Sequence, residues 1–190
     1  MGHSQADKAA SRERILEAAA RQISERGLDS VSVGELMQNA GLTKGAFYAH
    51  FESRDEMIAE AARRAMQNGQ AKLEPLLSGR KRATLKQIVD LWLDPAHVEN
   101  RLDGCGICTL AGEARYAGPQ VQRVVAEQFN RNVGQIAQAL SGKNVTARAT
   151  AILTAIVGAV SMSRAVGDPA MAAQILANTR ALILQDHGEA

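Results

Sequence analysis

Apolar positions recur at helical spacing along most of the chain. Ile15, Ala19 and Ile23 share one face of a first helix, predicted over residues 11–26, with Gly27 as its C-terminal stop. Longer helices are also predicted at about 53–77, 119–140, 145–166 and 169–186. Asp94-Pro95 and Asp168-Pro169 each have the pattern of an N-cap followed by proline and predict helix starts. The alternation typical of strands is absent. The pattern therefore predicts an all-α fold.

Two short helical patterns follow the first helix and enclose a glycine. Ser32 and Glu35 have the spacing of a capping box and predict a short second helix. Gly41 supplies a turn, and Thr43 is placed to cap a third helix over residues 44–50. The side chains expected to lock these helices against the first are Leu36, Ala40, Leu42, Phe47 and Phe51. This is the arrangement of a helix-turn-helix, whose second helix enters the DNA major groove.

Small and polar residues occupy the outward side of the third helix. They are Thr43, Lys44, Gly45, Ala46, Tyr48 and His50. Gly45 and Ala46 are small enough to let the helix N-terminus, with its free N–H groups, approach bases and phosphates. Charge does not favour DNA binding, because residues 1–55 carry seven basic and eight acidic side chains and the chain has a net charge of only +2. A helical bundle that does not bind DNA is the alternative interpretation of the same pattern.

The stretch LMQNAGLTKGAFYAHFESRDEM resembles the signature of TetR-family transcriptional repressors. The likeness lies in its glycine turn, its threonine-lysine-glycine start and its FYxHF run, and it covers about residues 11–60. The resemblance implies a helix-turn-helix DNA-binding domain at 11–56. A flexible arm at 1–10 would precede it, and a helical effector-binding and dimerisation domain at 57–190 would follow.

The resemblance also implies which residues contact a palindromic operator. The expected set is Ser32, Thr43, Lys44, Gly45, Ala46, Tyr48, His50 and Arg54. Tyr48 is implied to touch a phosphate, and Lys44 and Ala46 to lie near base edges. His50 and Arg54 are implied to lie on the side of the DNA backbone.

One residue departs from the family pattern. Glu52 stands where the family often has lysine, so one phosphate contact is expected to be lost or supplied by Arg54.

Thr43 is implied both to cap the recognition helix and to contact phosphate.

Dimerisation is expected because one short recognition helix reads only a few base pairs. The last two helices carry long apolar stripes with small residues between them, and TetR-family proteins generally pair through their last two helices. The expected interface residues are Ile152, Ala155, Ile156, Ala159, Ile175 and Leu182. The alternative is that these stripes fill the core of a single chain.

Cys105 and Cys108, the two cysteines of the chain, form a CxxC pair. Three interpretations of the pair stay open. The favoured one is that both cysteines are small buried hydrophobic residues beside a cavity. The others are that they are reactive sensor thiols or part of a metal site. A thiol-redox or metal-binding helical protein that does not act on DNA is the alternative function. A subset of TetR-like repressors carries a similar GC followed by LxxE, here Leu110 to Glu113.

An apolar or electrophilic effector is expected among the middle helices. The candidate sensing or lining residues are Trp92, His97, Cys105, Cys108, Tyr116, Phe129 and Met162, chosen because large or soft side chains shape apolar pockets. Each of them is equally explained by core packing.

Other classes of protein receive no support from the sequence. No GxGxxG or GxSxG stretch occurs and the four histidines are scattered, so neither an enzyme nor a cofactor is predicted. The start lacks the apolar region of a signal peptide, and the apolar stretch 149–160 is shorter than the roughly 20 residues of a membrane span. A cytoplasmic location without a membrane partner is expected.

Overall fold

The computed structural model describes residues 5–70, 82–100 and 104–187. Over these residues the chain forms nine α-helices and two 3₁₀ helices, and no strand, which confirms the predicted all-α fold. The α-helices are α1 Gln5–Arg26, α2 Val33–Asn39, α3 Arg54–Gln70, α4 Leu85–Trp92, α5 Pro95–Glu99, α6 Gly106–Leu110, α7 Pro119–Gln138, α8 Val145–Ala165 and α9 Pro169–His187. The 3₁₀ helices are Leu28–Ser30 and Lys44–Ala49.

Helix α1 begins earlier than the sequence pattern indicates. Residues 5–10, which were expected to belong to a flexible arm, are helical. The stretch QADKAA consists mostly of good helix formers, and Asp7 in the first turn suits the positive end of the helix dipole. Gly27 ends the helix as predicted, with a φ of 85°.

Several predicted helix starts are confirmed by their caps. The carboxylate of Asp94 accepts a hydrogen bond from the Ala96 N–H at 2.7 Å, and that of Asp168 accepts one from the Ala170 N–H at 2.8 Å. Proline follows each aspartate at the first helical position, where its missing N–H costs little. Thr84 and Gln87 form a capping box at the start of α4 that was not predicted.

Helix α3 begins next to Ser53, whose hydroxyl accepts a hydrogen bond from the Glu56 N–H at 3.1 Å. The Glu56 side chain accepts from the Glu52 N–H at 2.6 Å, one residue before the position that a capping box requires. The expected course of this helix toward Leu77 lies outside the described residues.

A first hydrophobic cluster holds the N-terminal helices together. Ile15 and Ile23 of α1, Phe47 and Phe51 are each at most 3% exposed. The same cluster includes Leu110, Ala114, Val121 and Val124. The core around the helix-turn-helix therefore continues past residue 56 and into α6 and α7.

A second hydrophobic cluster lies among α4, α5, the end of α7, α8 and α9. Its most buried members include Val89, Ile136, Leu153 and Ile156, each at most 1% exposed. Helix α3 packs on both α1 and α7, so it connects the two halves of the fold.

Helix α8 is apolar over most of its length. By length and composition alone Val145–Ala165 could cross a membrane, although the stretch 149–160 by itself is too short. A core helix of a soluble protein meets the same criterion, and α8 packs between α7 and α9. Among the described residues, none covers the side of α8 on which Met162 is 53% exposed.

Candidate functional site

The turn between α2 and the 3₁₀ helix Lys44–Ala49 has the geometry that the sequence predicts. The Ser32 hydroxyl accepts a hydrogen bond from the Glu35 N–H at 3.4 Å, which caps α2. Gly41 adopts a φ of 71°, and the Leu42 N–H donates to the Met37 carbonyl at 2.8 Å. Because a side chain at this φ is disfavoured, glycine fits the turn.

The helix that follows the turn is a 3₁₀ helix, not the α-helix that was predicted. The Ala46 N–H donates to the carbonyl of Thr43 at 3.0 Å, the spacing of a 3₁₀ turn. This bond occupies the N–H that a capping threonine hydroxyl normally receives. Thr43 accordingly makes no side-chain cap, so its predicted capping role is wrong.

One face of this 3₁₀ helix is fixed to the core. Phe47 and Phe51 are buried and their rings stack with centroids 5.4 Å apart. Tyr48, in contrast, is 77% exposed, and its ring contacts Phe47 edge to face at 5.3 Å. The buried phenylalanines therefore fix the helix while Tyr48 projects into solvent.

The small residues of the 3₁₀ helix differ in their surroundings. Gly45 is exposed, and a Cβ added there would meet no atom closer than the Thr43 hydroxyl at 4.0 Å. The fold itself does not require glycine at this position. Ala46 is half-buried and packs on the first cluster, so the expectation that it faces outward is correct only for part of its surface. Lys44 is exposed.

His50, at the end of this helix, is half-buried and held by α1. The Arg12 guanidinium donates to its carbonyl at 3.1 Å and also lies over the Phe51 ring, 4.7 Å from the centroid. Burial, followed by the positive charges of Lys8 and Arg12, lowers the pKa of His50 below its ordinary value of 6.5. The imidazole is therefore neutral at pH 7 and brings no charge to this surface.

Arg54 has a structural contact beside its expected role at DNA. Its guanidinium donates to the Val31 carbonyl at 3.2 Å, which ties the start of α3 to the start of α2. The side chain is otherwise exposed, next to exposed Glu52.

The seven expected effector residues do not line one cavity. Trp92, His97 and Cys108 are buried, and Cys105 and Phe129 are half-buried. Tyr116 is 81% exposed and Met162 is 53% exposed, so neither lines an enclosed pocket in this structure. Tyr116 lies in the turn after α6, where Arg115 covers its ring at 5.0 Å, and Met162 lies on the face of α8 that points away from the core.

The remaining candidates line separate spaces, and Cys108 lines a groove of about 280 Å³ with Thr109 and Glu113. Trp92 and Cys105 line a small cavity of about 10 Å³, scarcely the size of one water molecule. Phe129 instead lines an apolar groove of about 360 Å³ together with residues of α6, α7 and α8.

A group of side-chain amides that was not predicted lies beside the small cavity. The Asn132 side-chain oxygen accepts hydrogen bonds from the Gln128 amide at 2.8 Å and from the Gln70 amide at 2.6 Å. The i, i+4 spacing of Gln128 and Asn132 on α7 was the available signal. These bonds join α7 to the end of α3.

The two cysteines adjoin each other and differ in acidity. A hydrogen bond from the Cys108 thiol lowers the pKa of Cys105 to about 7 against the opposing effect of burial, helped by the backbone N–H groups of Cys108 and Ile107 and the charge of Arg164. The same hydrogen bond, burial and the adjacent negative charge raise the pKa of Cys108. At neutral pH a large fraction of Cys105 is therefore thiolate while Cys108 keeps its proton. Within the described ranges, no three His, Cys, Asp or Glu side chains come together as a metal site.

Three of the six expected dimer residues are inside the chain. Ile152, Ile156 and Ala159 are at most 5% exposed and fill the second cluster, as the alternative interpretation of that stripe proposed. Ala155 and Ile175 are half-buried, and Leu182 is 59% exposed. The error arises because helical periodicity marks the buried side of a helix without telling whether the covering surface belongs to the same chain.

Fold and site together define a helical protein with an N-terminal helix-turn-helix and a larger helical part behind it. Residues 15–61 match the family model of bacterial regulatory proteins of the tetR family. The match shows the likeness of the helix-turn-helix segment to that family, and it does not extend over the helical part behind it.

Curated proteins match only part of the chain. The chain is 42% identical over 50 residues to the uncharacterized HTH-type transcriptional regulator YvdT of Bacillus subtilis. These 50 residues are 26% of this chain and 26% of YvdT. It is 41% identical over 49 residues to the HTH-type transcriptional regulator AcrR of Shigella flexneri, which is 26% of this chain and 23% of AcrR. The aligned part thus spans about a quarter of the length of these relatives.

Similarity to solved structures extends over the whole fold. A TetR-family regulator from Cytophaga hutchinsonii superposes with a TM-score of 0.78 at 17% identity and covers 100% of both chains. The reduced form of NemR from E. coli superposes with a TM-score of 0.72 at 19% identity, over 93% of this chain and 96% of NemR. At these identities the likeness shows a shared fold.

Proposed function

We propose that the chain is a cytoplasmic, homodimeric repressor that binds palindromic operator DNA and leaves it in response to a small apolar molecule or a thiol-reactive signal. The observation that carries the proposal is the 3₁₀ helix Lys44–Ala49, which is anchored by buried Phe47 and Phe51 and presents exposed Lys44, Gly45 and Tyr48. A rigid, small and polar edge of this kind suits the major groove. The DNA-binding domain then runs from α1 to residue 56, followed by the effector-binding and dimerisation domain.

The contacts to DNA fall into two groups. Tyr48 and Thr43 reach phosphates through hydroxyls, and the Thr43 hydroxyl is available because it makes no cap bond. Lys44 and Gly45 lie closest to the base edges, with Ala46 contributing only its exposed part. The other members of the expected set, Ser32, His50 and Arg54, border the DNA backbone, where neutral His50 acts by hydrogen bonding or contact. Phosphate contacts position the protein, whereas base contacts select the sequence.

Dimerisation is assigned to the uncovered faces of α8 and α9. Two recognition helices must lie about 34 Å apart to read successive turns of one DNA face. The exposed side of these helices includes Gly158, Met162, Met171 and Leu182, and the last three are among the exposed large hydrophobic side chains of the chain. Such a surface suits close helix packing in a four-helix interface. Met162, which was expected at the effector site, is thus part of the proposed dimer interface.

The effector site is assigned to the groove lined by Phe129. Its volume of about 360 Å³ lies within the range of small-molecule sites, and its walls include Ile107, Val125 and Val157. An apolar ligand there would separate α6 from α7 and α8, and α7 packs on α3, the helix that leaves the DNA-binding domain. The ligand would act by favouring the chain conformation in which the two recognition helices no longer match the grooves.

A second candidate function is a thiol-redox protein that does not act on DNA. The feature that favours it is the acidic thiol of Cys105, with a pKa of about 7. A truncated chain without residues 1–56 would not be a valid test of the two functions. Leu110 and Val121 pack in the same cluster as these residues, so the deletion would expose part of the remaining core. Surface substitutions at Lys44 and Tyr48 leave the core intact and therefore make the cleaner test.

The test is selection of duplexes from a random library by the reduced protein, followed by affinity measurements with the wild type, Lys44→Ala and Tyr48→Phe. The expected result is enrichment of a palindrome and weaker binding by both variants, with unchanged circular dichroism. Enrichment of no sequence, or equal binding by all three proteins, would refute the proposal. The DNA flanking the chain's own coding region provides a second, natural probe.

A further inference from the structure

Helix α6 is held against α3 by contacts that leave no room for side chains. A Cβ placed on Gly106 would lie 2.9 Å from the Met66 Cγ of α3. A Cβ on Gly69 of α3 would lie 2.1 Å from the carbonyl oxygen of Gly104. Because backbones this close cannot slide past one another, a shift of residues 104–106 must also move α3 or separate the two helices.

The same segment also contacts the DNA-binding domain at its other end. The Glu113 carboxylate, just after α6, accepts a hydrogen bond from the Leu28 N–H at 2.6 Å. A Cβ on Gly27 would lie 2.4 Å from this carboxylate. Residues 104–113 therefore connect α3 with the 3₁₀ helix Leu28–Ser30, which lies just before α2.

The CxxC pair lies within this connecting segment. Cys105 occupies the N-cap position of α6, and the Cys108 N–H donates to the Cys105 carbonyl at 3.0 Å. Cys105 lines the cavity of about 10 Å³ together with Met66 and Gly69 of α3. This cavity scarcely holds one water molecule, so the side of Cys105 that faces α3 is closely packed.

We propose that Cys105 and Cys108 form a peroxide-sensitive dithiol switch, which on closing to a disulfide displaces α6 from α3 and Leu28 and lowers the affinity for DNA. The effect on DNA rests on the proposed function, whereas the displacement of α6 does not. Cys105 is the attacking residue and Cys108 is the resolving residue. The acidic thiol of Cys105 and the protonated thiol of Cys108 agree with this order.

The oxidation balances with one peroxide per chain. The Cys105 thiolate attacks one peroxide oxygen, an S–O bond forms, the O–O bond breaks, and the leaving hydroxide takes a proton to become water. Cys108 then loses its proton, and its sulfur attacks the sulfenic sulfur of Cys105. The S–S bond forms as the S–O bond breaks, and the second oxygen leaves as hydroxide, which takes up the Cys108 proton as water. The two thiols are oxidised by two electrons, and peroxide is reduced to two waters.

Formation of the Cys105–Cys108 disulfide changes both the geometry and the charge around α6. The sulfurs must approach to about 2.05 Å, closer than any hydrogen-bonded thiol pair. The negative charge of the Cys105 thiolate is lost, and with it the attraction to Arg164, whose guanidinium donates to the Val98 carbonyl at 2.9 Å. Two thiol–disulfide exchanges with a small thiol reverse the reaction.

The experiment treats the full-length reduced protein with hydrogen peroxide and then with dithiothreitol. Intact mass gives the disulfide, hydrogen–deuterium exchange follows α3 and Leu28–Ser30, and binding is measured on the duplex selected by the reduced protein. We expect loss of both free thiols, faster exchange at both segments, and affinity lowered about 5- to 150-fold, all restored by dithiothreitol. A disulfide without faster exchange, or thiols that survive peroxide in the folded protein, would overturn the proposal.

The matched control is the double variant Cys105→Ser with Cys108→Ser under the same peroxide. Its exchange and its DNA binding should not change, because the disulfide cannot form. Any change that does occur measures the effect of peroxide on other side chains such as the methionines. A loss as large as that of the wild type would overturn the thiol assignment. If the reduced wild type bound no duplex, the proposed function would fail, and the exchange measurement would still decide whether the dithiol moves α6.

The order of the two cysteines is tested separately. Cys108→Ser should accumulate a sulfenic acid on Cys105 that dimedone traps, whereas Cys105→Ser should give almost none. In the unmodified protein, limiting iodoacetamide should label Cys105 first, a readout that does not depend on either variant folding. Labelling of Cys108 first would contradict the assignment.

Discussion

The carboxylate of Glu113 accepts a hydrogen bond from the backbone N–H of Leu28, 85 residues earlier in the chain, at 2.6 Å. This bond joins the turn after α6 to the segment that precedes the helix-turn-helix. A charged acceptor on a backbone N–H is among the stronger hydrogen bonds in proteins. The contact is therefore a direct route by which the helical C-terminal part can affect the DNA-binding helices.

Replacing the Glu113 carboxylate should weaken the connection between the turn after α6 and the segment before the helix-turn-helix. We expect Glu113→Ala to lower the free energy of unfolding by about 1–3 kcal/mol, because the Leu28 N–H loses its partner. Hydrogen exchange at residues 28–30 should accelerate more than exchange elsewhere, and affinity for DNA should fall.

The matched control for Glu113 is Glu127→Ala, which removes an exposed ion pair with Arg63 on α3. An exposed pair contributes about 0–1 kcal/mol, so little change is expected. Equal effects of the two substitutions in chemical denaturation would contradict a special role for Glu113.

The tight contact between α3 and the segment before α6 should show in glycine substitutions. Gly69→Ala is expected to lower the free energy of unfolding by about 1–3 kcal/mol or more, since its Cβ would lie 2.1 Å from the Gly104 carbonyl oxygen. Gly134→Ala on α7 is the control, because nothing lies within 4 Å of its Cβ. The control should stabilise the helix by about 0.5–1 kcal/mol. Thermal or urea unfolding of both variants measures the contrast, which fails if the two substitutions have the same sign.

Tyr48 should contribute to binding of every duplex alike. We expect Tyr48→Phe to weaken binding by about 0.5–1.5 kcal/mol for selected and scrambled duplexes, because a phosphate hydrogen bond carries no sequence information. Tyr116→Phe removes an equally exposed hydroxyl elsewhere and should have no effect. Fluorescence anisotropy on both duplexes measures the losses. A loss confined to the selected duplex would instead assign Tyr48 to base recognition.

The uncovered face of α9 should control the oligomeric state. Leu182→Glu places a charge on a side chain that is 59% exposed in the single chain, and it should shift the protein toward monomer without unfolding it. Arg123 is exposed on α7, outside the proposed interface, so Arg123→Glu is the charge-changing control. That variant should remain dimeric. Sedimentation velocity separates the two cases. A Leu182→Glu protein that dimerises like the wild type would move the interface elsewhere.

The acidity of Cys105 predicts a pH dependence of its reactivity. Since the Cys108 hydrogen bond lowers the pKa of Cys105 to about 7, alkylation by iodoacetamide should accelerate as pH rises through about 7. In Cys108→Ala that donor is absent, so the midpoint should move to higher pH and the rate at pH 7 should fall. Rates measured from pH 5 to pH 10 give both midpoints. An unchanged midpoint would show that Cys108 does not set the acidity.

Features with local sequence signals were predicted well. Ser32, Gly41, Asp94 and Asp168 each act within a few residues of their own position, as a cap or as a turn. The 3₁₀ form of the recognition helix was missed, because residue types alone do not distinguish a short α-helix from a 3₁₀ helix. The absence of a Thr43 cap follows from that difference.

Features that depend on distant packing could not be predicted from the sequence. Nothing local indicates that Glu113 meets Leu28 across 85 positions. The apolar character of Ile156 and Met162 does not tell which one is buried in its own chain and which one is left on the surface. Burial of this kind is decided by the neighbouring helices, whose orientation the pattern leaves open.

The central claim is that two copies of the chain present their Tyr48-bearing helices to one palindromic duplex. Sedimentation equilibrium of the reduced protein with the selected duplex at low ionic strength tests it most directly. The account predicts a complex with two chains, or a whole multiple of two, on each duplex, and loss of that complex in Leu182→Glu. A single chain bound to each duplex, or no complex with any palindrome offered, would contradict it.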